Sequence, residues 1–81
     1  MKLPRDISGR SLAGRLSRFG YAITRQSGSH IRLTSTVMAR EHHITIPDHR
    51  VLRVGTLARI LDEVAGYMEF DRDELLEALF R

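Results

Sequence analysis

Along residues 8 to 64 the spacing of apolar side chains changes from a helical period to a strand period and back again. Leu12, Leu16 and Phe19 recur at four- and three-residue intervals, which places them on one stripe of a helix. Ser8 suits its N-cap and Gly20 a left-handed stop, so the spacing predicts a helix from about Ser8 to Phe19. From Tyr21 the period is two. Tyr21 with Ile23, then Ile31 with Leu33, alternate with small or polar neighbours, and Ser27-Gly28-Ser29 breaks the run between them. This is the pattern of a β-hairpin. A third strand is predicted at His43 to Ile46, with Ile44 and Ile46 inward, after a polar connection from about Ser35 to Glu41.

Leu57, Ile60, Leu61 and Val64 restore the helical pattern, predicting a second helix that begins near Gly55-Thr56, with the Thr56 hydroxyl as its cap, and is interrupted at Gly66. Asp71 with Glu74 three residues later forms a capping-box signature, so a short helix closes the chain. The predicted order is α-β-β-β-α with an extra short C-terminal helix. That is an α+β fold: a three-stranded antiparallel sheet with helices on one face. The other face is expected to display Thr24, Gln26, His30, Arg32, His43 and Thr45.

At 81 residues the whole of 1–81 reads as a single small domain, too short for a large catalytic scaffold. With no cysteine, disulfides, iron-sulfur clusters and thiolate zinc sites are excluded. No apolar run approaches the roughly 20 residues of a membrane helix, and the opening residues lack the apolar segment of a secretory signal, so a cytoplasmic location without membrane contact is expected.

Charge is distributed unevenly. Residues 1–59 hold eleven Lys/Arg against three Asp/Glu, whereas residues 60–81 hold two against seven. Twelve of the thirteen cations are arginine, whose planar fork suits phosphate oxygens and stacks on bases, so the basic part favours a nucleic-acid partner. Arg10, Arg15 and Arg18, on the polar side of the first helix, serve either solvation or a phosphate-facing surface.

The reactive inventory is four histidines, scattered carboxylates and hydroxyls, and the arginines. His30 follows the hairpin turn on the outward parity, which puts an imidazole in the open at the rim of a basic sheet. Taken alone, such a histidine is ordinarily a surface residue. A metal site is not expected, because His42 and His43 are adjacent on a strand and point to opposite faces, with no HExxH helix beside them. There is no G-x-S-x-G elbow and no Walker or dinucleotide loop. No cofactor is expected.

Several segments in order resemble one family: Leu3-Pro4, Ser8-Gly9, Phe19-Gly20-Tyr21, Arg25-Gln26-Ser27-Gly28-Ser29-His30, Ile46-Pro47-Asp48-His49-Arg50, and Val54-Gly55-Thr56-Leu57 followed by Ile60-Leu61. Together they look like the HicA toxins, also called YcfA-like. The resemblance implies a double-stranded-RNA-binding-domain-like fold. It implies an mRNA interferase, an endoribonuclease cleaving mRNA, held silent by a cognate HicB antitoxin in what can be a higher-order complex. It further implies that His30 is the catalytic residue, acting on RNA without a metal. In that mechanism an imidazole takes the proton of the ribose 2′-OH as the oxygen attacks the adjacent phosphate. Arg25, Arg32, Arg50 or Arg53 would offset charge on the phosphoryl oxygens, and Ser29 or the amides of the Gly28 turn would orient the histidine or the phosphate. His43 and His49 are weaker candidates for a second acid. Two alternatives share the fold: a non-catalytic RNA-binding module, and an interaction domain whose charge serves partner docking.

Overall fold

Helix α1 (Gly9–Ser17) is the first helix of the computed structural model, which describes residues 3–81. The Ser8 hydroxyl accepts from the Ser11 N–H at 3.0 Å, as an N-cap should, and Leu12, Ala13 and Leu16 are buried. The last turn tightens into i→i+3 bonds, Phe19 N–H to the Leu16 carbonyl and Gly20 N–H to the Ser17 carbonyl, and Gly20, at φ +95°, redirects the chain.

Strands β1 (Tyr21–Ser27), β2 (His30–Ser35) and β3 (His42–Pro47) form one antiparallel sheet in the order β1-β2-β3. Gly28-Ser29 is a two-residue hairpin loop in which only Gly28 has positive φ, the pattern of a type II′ turn. Helix α2 (Val54–Met68) and helix α3 (Arg72–Leu79) complete the chain. α1 contacts all three strands, α2 packs on β3, and α3 packs on α2. Ile31, Leu33, Ile44 and Ile46 face these helices, buried with Leu57, Ile60, Leu61, Val64, Leu75, Leu76 and Leu79. The predicted α+β order is therefore the observed one, with one face of the sheet left open.

Four local expectations are corrected. Ile23, expected to turn inward with Tyr21, pairs with buried Leu33 yet is 51% exposed, because the edge strand reaches past the helices and only Tyr21 of β1 is buried. Gln26, expected on the open face, lies opposite Ile31 on the helix-facing side. A β-bulge at Thr24 causes this, since the register slips between Ile23 and Arg25 and shifts the alternation by one residue. Gly66 does not interrupt α2, which continues to Met68 and ends where Glu69 adopts the left-handed conformation at φ 59°. Nor does Thr56 cap this helix: it starts at Val54, with Arg53 as an N-cap that makes no side-chain cap bond. The Asp71/Glu74 capping box of α3 is formed in both directions.

At the end of the sheet farthest from the hairpin turn, the inner face carries a polar cluster of buried Tyr21 and Tyr67 with half-buried His42. Tyr21 Oη lies 2.8 Å from His42 Nδ1, and the His42 ring stacks on Tyr67 with centroids 4.7 Å apart. The Tyr67 hydroxyl lies 2.6 Å from the Arg40 carbonyl and 3.3 Å from the Ser35 carbonyl, and the Met38 N–H donates to it at 3.0 Å. These bonds anchor the connection between β2 and β3. Burial pushes the Tyr21 phenol up, aided by Tyr67 and Glu63. Burial likewise holds the His42 imidazole below its ordinary value, against the opposing pull of Glu63.

Two measurements follow. A Cβ on Gly9 would collide with the Pro47 carbonyl oxygen, whereas one on Gly66 would meet open space. Gly9→Ala is expected to lower unfolding free energy by about 1–3 kcal/mol in urea titrations, and Gly66→Ala to raise it by about 0.5–1 kcal/mol. Because His42 binds its proton less readily folded than unfolded, its contribution is complete above the ordinary imidazole value of about 6.5 and is lost as pH falls through the lowered one. The urea midpoint should fall from pH 7.5 to pH 5, with a shallower slope for His42→Asn.

Candidate functional site

The open face is built outward from β2. His30 and Arg32 alternate with buried Ile31 and Leu33, so both side chains project away from the helices and both residues are exposed. In register, Ser27 and Pro47 flank His30, Arg25 and Thr45 flank Arg32, and His43 pairs with Thr34. Simple alternation would send Arg25 inward with Ile23. The bulge at Thr24 instead sets it directly opposite Arg32, so two guanidinium groups share the face within one pair of residues of His30.

Like charges facing each other across strands are unfavourable unless something else compensates them. Among the described residues, Arg25, Arg32, Arg50 and Arg53 have no carboxylate, carbonyl or aromatic partner for their side chains, and all four are exposed. The first helix's arginines are different. Arg15 Nη1 donates to the Leu79 carbonyl at 2.7 Å with its guanidinium 5.0 Å from the Phe80 ring centroid, and Arg18 reaches the same carbonyl at 3.5 Å. They bind the carbonyl end of α3, where cations are favoured. Arg10 pairs with Asp48 at 3.3 Å. Of the two roles open to these three, solvation stands for Arg10 and Arg18, which are exposed while bonded within the fold, and Arg15 is half-buried against the end of α3.

Backbone bonds hold the His30 end of the sheet. The Asp48 N–H donates to the Ser29 carbonyl at 2.6 Å, the Gly9 N–H to the His49 carbonyl at 3.0 Å, and the Leu52 N–H to the Ile7 carbonyl at 2.8 Å. The segment carrying His49, Arg50 and Arg53 therefore leaves β3 beside the hairpin turn. No hydrogen bond or ring contact joins Arg50, Arg53 or the His49 ring to His30 among the described residues. The His30 ring likewise has no hydrogen-bond or ion-pair partner there, and neither does the Ser29 hydroxyl.

His43 is on the same face but four residues farther along, roughly 13 Å at the usual strand rise, beyond hydrogen-bond reach of a phosphate at His30. Both its nitrogens are engaged: Nδ1 with Thr34 Oγ1 at 2.8 Å and Nε2 with Glu41 Oε1 at 2.8 Å. That removes it as the second acid at His30. Among the described residues no group of three or more His, Cys, Asp or Glu is arranged to hold a metal ion. None of their helices is long and apolar enough to cross a membrane.

The sheet, its open face and the turn before His30 fall within residues 9–66, which match the family model described as the HicA toxin of bacterial toxin-antitoxin systems. That is more than half of the chain. It belongs to the HicA toxin family. No curated protein and no solved structure matched it. As a HicA-family toxin, it has an antitoxin as its expected partner. The match covers α1, the sheet and most of α2, while α3, which receives Arg15 and Arg18 at its end, lies beyond it.

The facing arginines of this HicA-family chain generate a stability test. Arg25→Glu replaces a like-charge pair with an opposite-charge pair across β1 and β2. The expected gain is a few tenths of a kcal/mol to about 1 kcal/mol, read from the urea midpoint at low salt and shrinking as salt is added.

Proposed function

We propose that this HicA-family toxin is a metal-independent endoribonuclease acting on mRNA, with His30 as its general acid and base. The observation that carries the reading is an exposed, unpartnered imidazole one pair of residues from two uncompensated guanidinium groups on the open face of the sheet. RNA brings its own nucleophile. The 2′-oxygen gives its proton to the neutral ring and bonds to the adjacent phosphorus, and the bond to the 5′-oxygen breaks. The departing oxygen then takes up a proton, leaving a 2′,3′-cyclic phosphate and a 5′-hydroxyl.

Arg25 and Arg32 bind the phosphate and offset the charge that grows on its oxygens, while Arg50 and Arg53 hold flanking phosphates beside the turn. Gly28 permits the tight turn that sets the start of β2, and the Ser29 hydroxyl orients the ring or the phosphate. The antitoxin in this reading is a HicB-type protein that covers the open face, keeping RNA from the arginines and the 2′-oxygen from His30. Larger toxin-antitoxin assemblies in the cytoplasm are compatible with such a contact.

The test is incubation of purified protein with a long mRNA in the presence of EDTA. Fragments ending in 2′,3′-cyclic phosphate are expected, and His30→Ala should reduce their rate of formation by about 10²–10⁴, the usual contribution of one positioned acid-base group. Binding to RNA with no cleavage above the His30→Ala control would instead identify a non-catalytic RNA-binding module.

A further inference from the structure

The far end of the open face carries a hydrogen-bonded row that cleavage at His30 does not use. Thr24 Oγ1 lies 2.9 Å from Thr34 Oγ1, which lies 2.8 Å from His43 Nδ1, and His43 Nε2 lies 2.8 Å from Glu41 Oε1. The row spans all three strands and holds the imidazole at both nitrogens, so the plane of its ring is set in advance. It is nonetheless open to solvent, with 40% of the His43 side chain and 57% of the Glu41 side chain exposed.

Glu41 is the informative member. The three strands themselves contain no Asp or Glu, and of the three acids in residues 1–59, Asp48 is paired with Arg10 and Asp6 precedes α1. Among the described residues, Glu41 is thus the carboxylate at the far border of the cationic face that no arginine pairs, with its Oε2 unpartnered. A carboxylate repels phosphate. It accepts from N–H groups, and those on RNA belong to the bases.

Resting on the ribonuclease reading above, we propose that Glu41 and His43 form a base-recognition site for a nucleotide neighbouring the cleaved one. The ring face of His43 stacks on one unpaired base, and the free Glu41 oxygen accepts from that base's exocyclic amino group. Phosphate binding at Arg25 and Arg32 sets the register of the strand, and Glu41 discriminates. Cytosine against uracil is the minimal comparison, because an amino donor is exchanged for a carbonyl acceptor in a ring of nearly the same shape. Adenine and guanine also present amino groups.

The experiment uses the His30→Ala protein, which leaves the proposed base site intact, and labelled hexauridylates carrying one cytidine, adenosine or guanosine at successive positions. Binding is read by fluorescence anisotropy. An amino-bearing base at one position should tighten binding about tenfold over hexauridylate. Glu41→Gln in the same background should reduce that ratio to within about twofold, since an amide can donate as well as accept. His43→Ala should weaken binding to every hexamer and lose the preference too.

A preference that survives Glu41→Gln, or no preference at any position, overturns the base site while leaving RNA binding and cleavage standing. A uniform tightening of all hexamers in Glu41→Gln with an unchanged ratio also overturns it, by reducing Glu41 to a general repulsive charge. If no hexamer binds and the wild-type protein leaves mRNA intact, the ribonuclease reading itself fails and takes this inference with it.

Discussion

Everything at the His30 end of this molecule depends on a close approach between two pieces of backbone. Gly9 has no side chain, so the start of α1 can lie against the Pro47 carbonyl while its N–H reaches the His49 carbonyl. Once this contact is made, the exit of β3 is fixed. Leu52 can bond back to Ile7, and Asp48 can join both the Ser29 carbonyl and the Arg10 guanidinium. The hairpin turn, the head of the first helix and the segment carrying Arg50 and Arg53 are consequently joined at one corner. His30 stands at that corner on the middle strand, the strand paired on both sides.

The same economy of contacts sorts the cations. A basic stretch in a sequence is only a count of charges, and here the fold divides it. Arg10, Arg15 and Arg18 are absorbed by a carboxylate and by the carbonyl end of α3. Arg25, Arg32, Arg50 and Arg53 are left without partners among the described residues. Repulsion between Arg25 and Arg32 is tolerated because the hydrophobic core beneath the sheet fixes the register in which they face each other. A ligand with negative charge, such as the phosphate of the proposed substrate, would relieve that repulsion.

Much of this architecture was legible from local pattern. The alternation in β2 and β3 put Ile31, Leu33, Ile44 and Ile46 inward and His30, Arg32, His43 and Thr45 outward, as observed, because both strands are regular. Asp71 and Glu74 marked a helix start through chemistry confined to one turn. The bulge at Thr24 was not legible, since nothing in the alternation of β1 announces an extra residue; it was also what decided the side on which Arg25 falls. Gly66 read as a break because glycine weakens helices, yet the packing of Val64, Ala65 and Tyr67 carries the helix through it. The attachments of Arg15 and Arg18 to Leu79 span more than sixty residues of sequence. The Thr24–Thr34–His43–Glu41 row depends on strand register as much as on residue type. The outward placement of His30 follows from parity alone, and the role proposed for it rests on the family resemblance.

The irregularity in β1 has one more effect. This strand lies at the border of the sheet and offers unbonded amides and carbonyls that another extended chain could match. An extra residue coils the border locally, and a guanidinium stands just past the distortion, so a second copy approaching edge-on meets mismatched spacing and repulsion. The feature that brings Arg25 beside Arg32 thereby also works against fibre-like self-association of the isolated toxin.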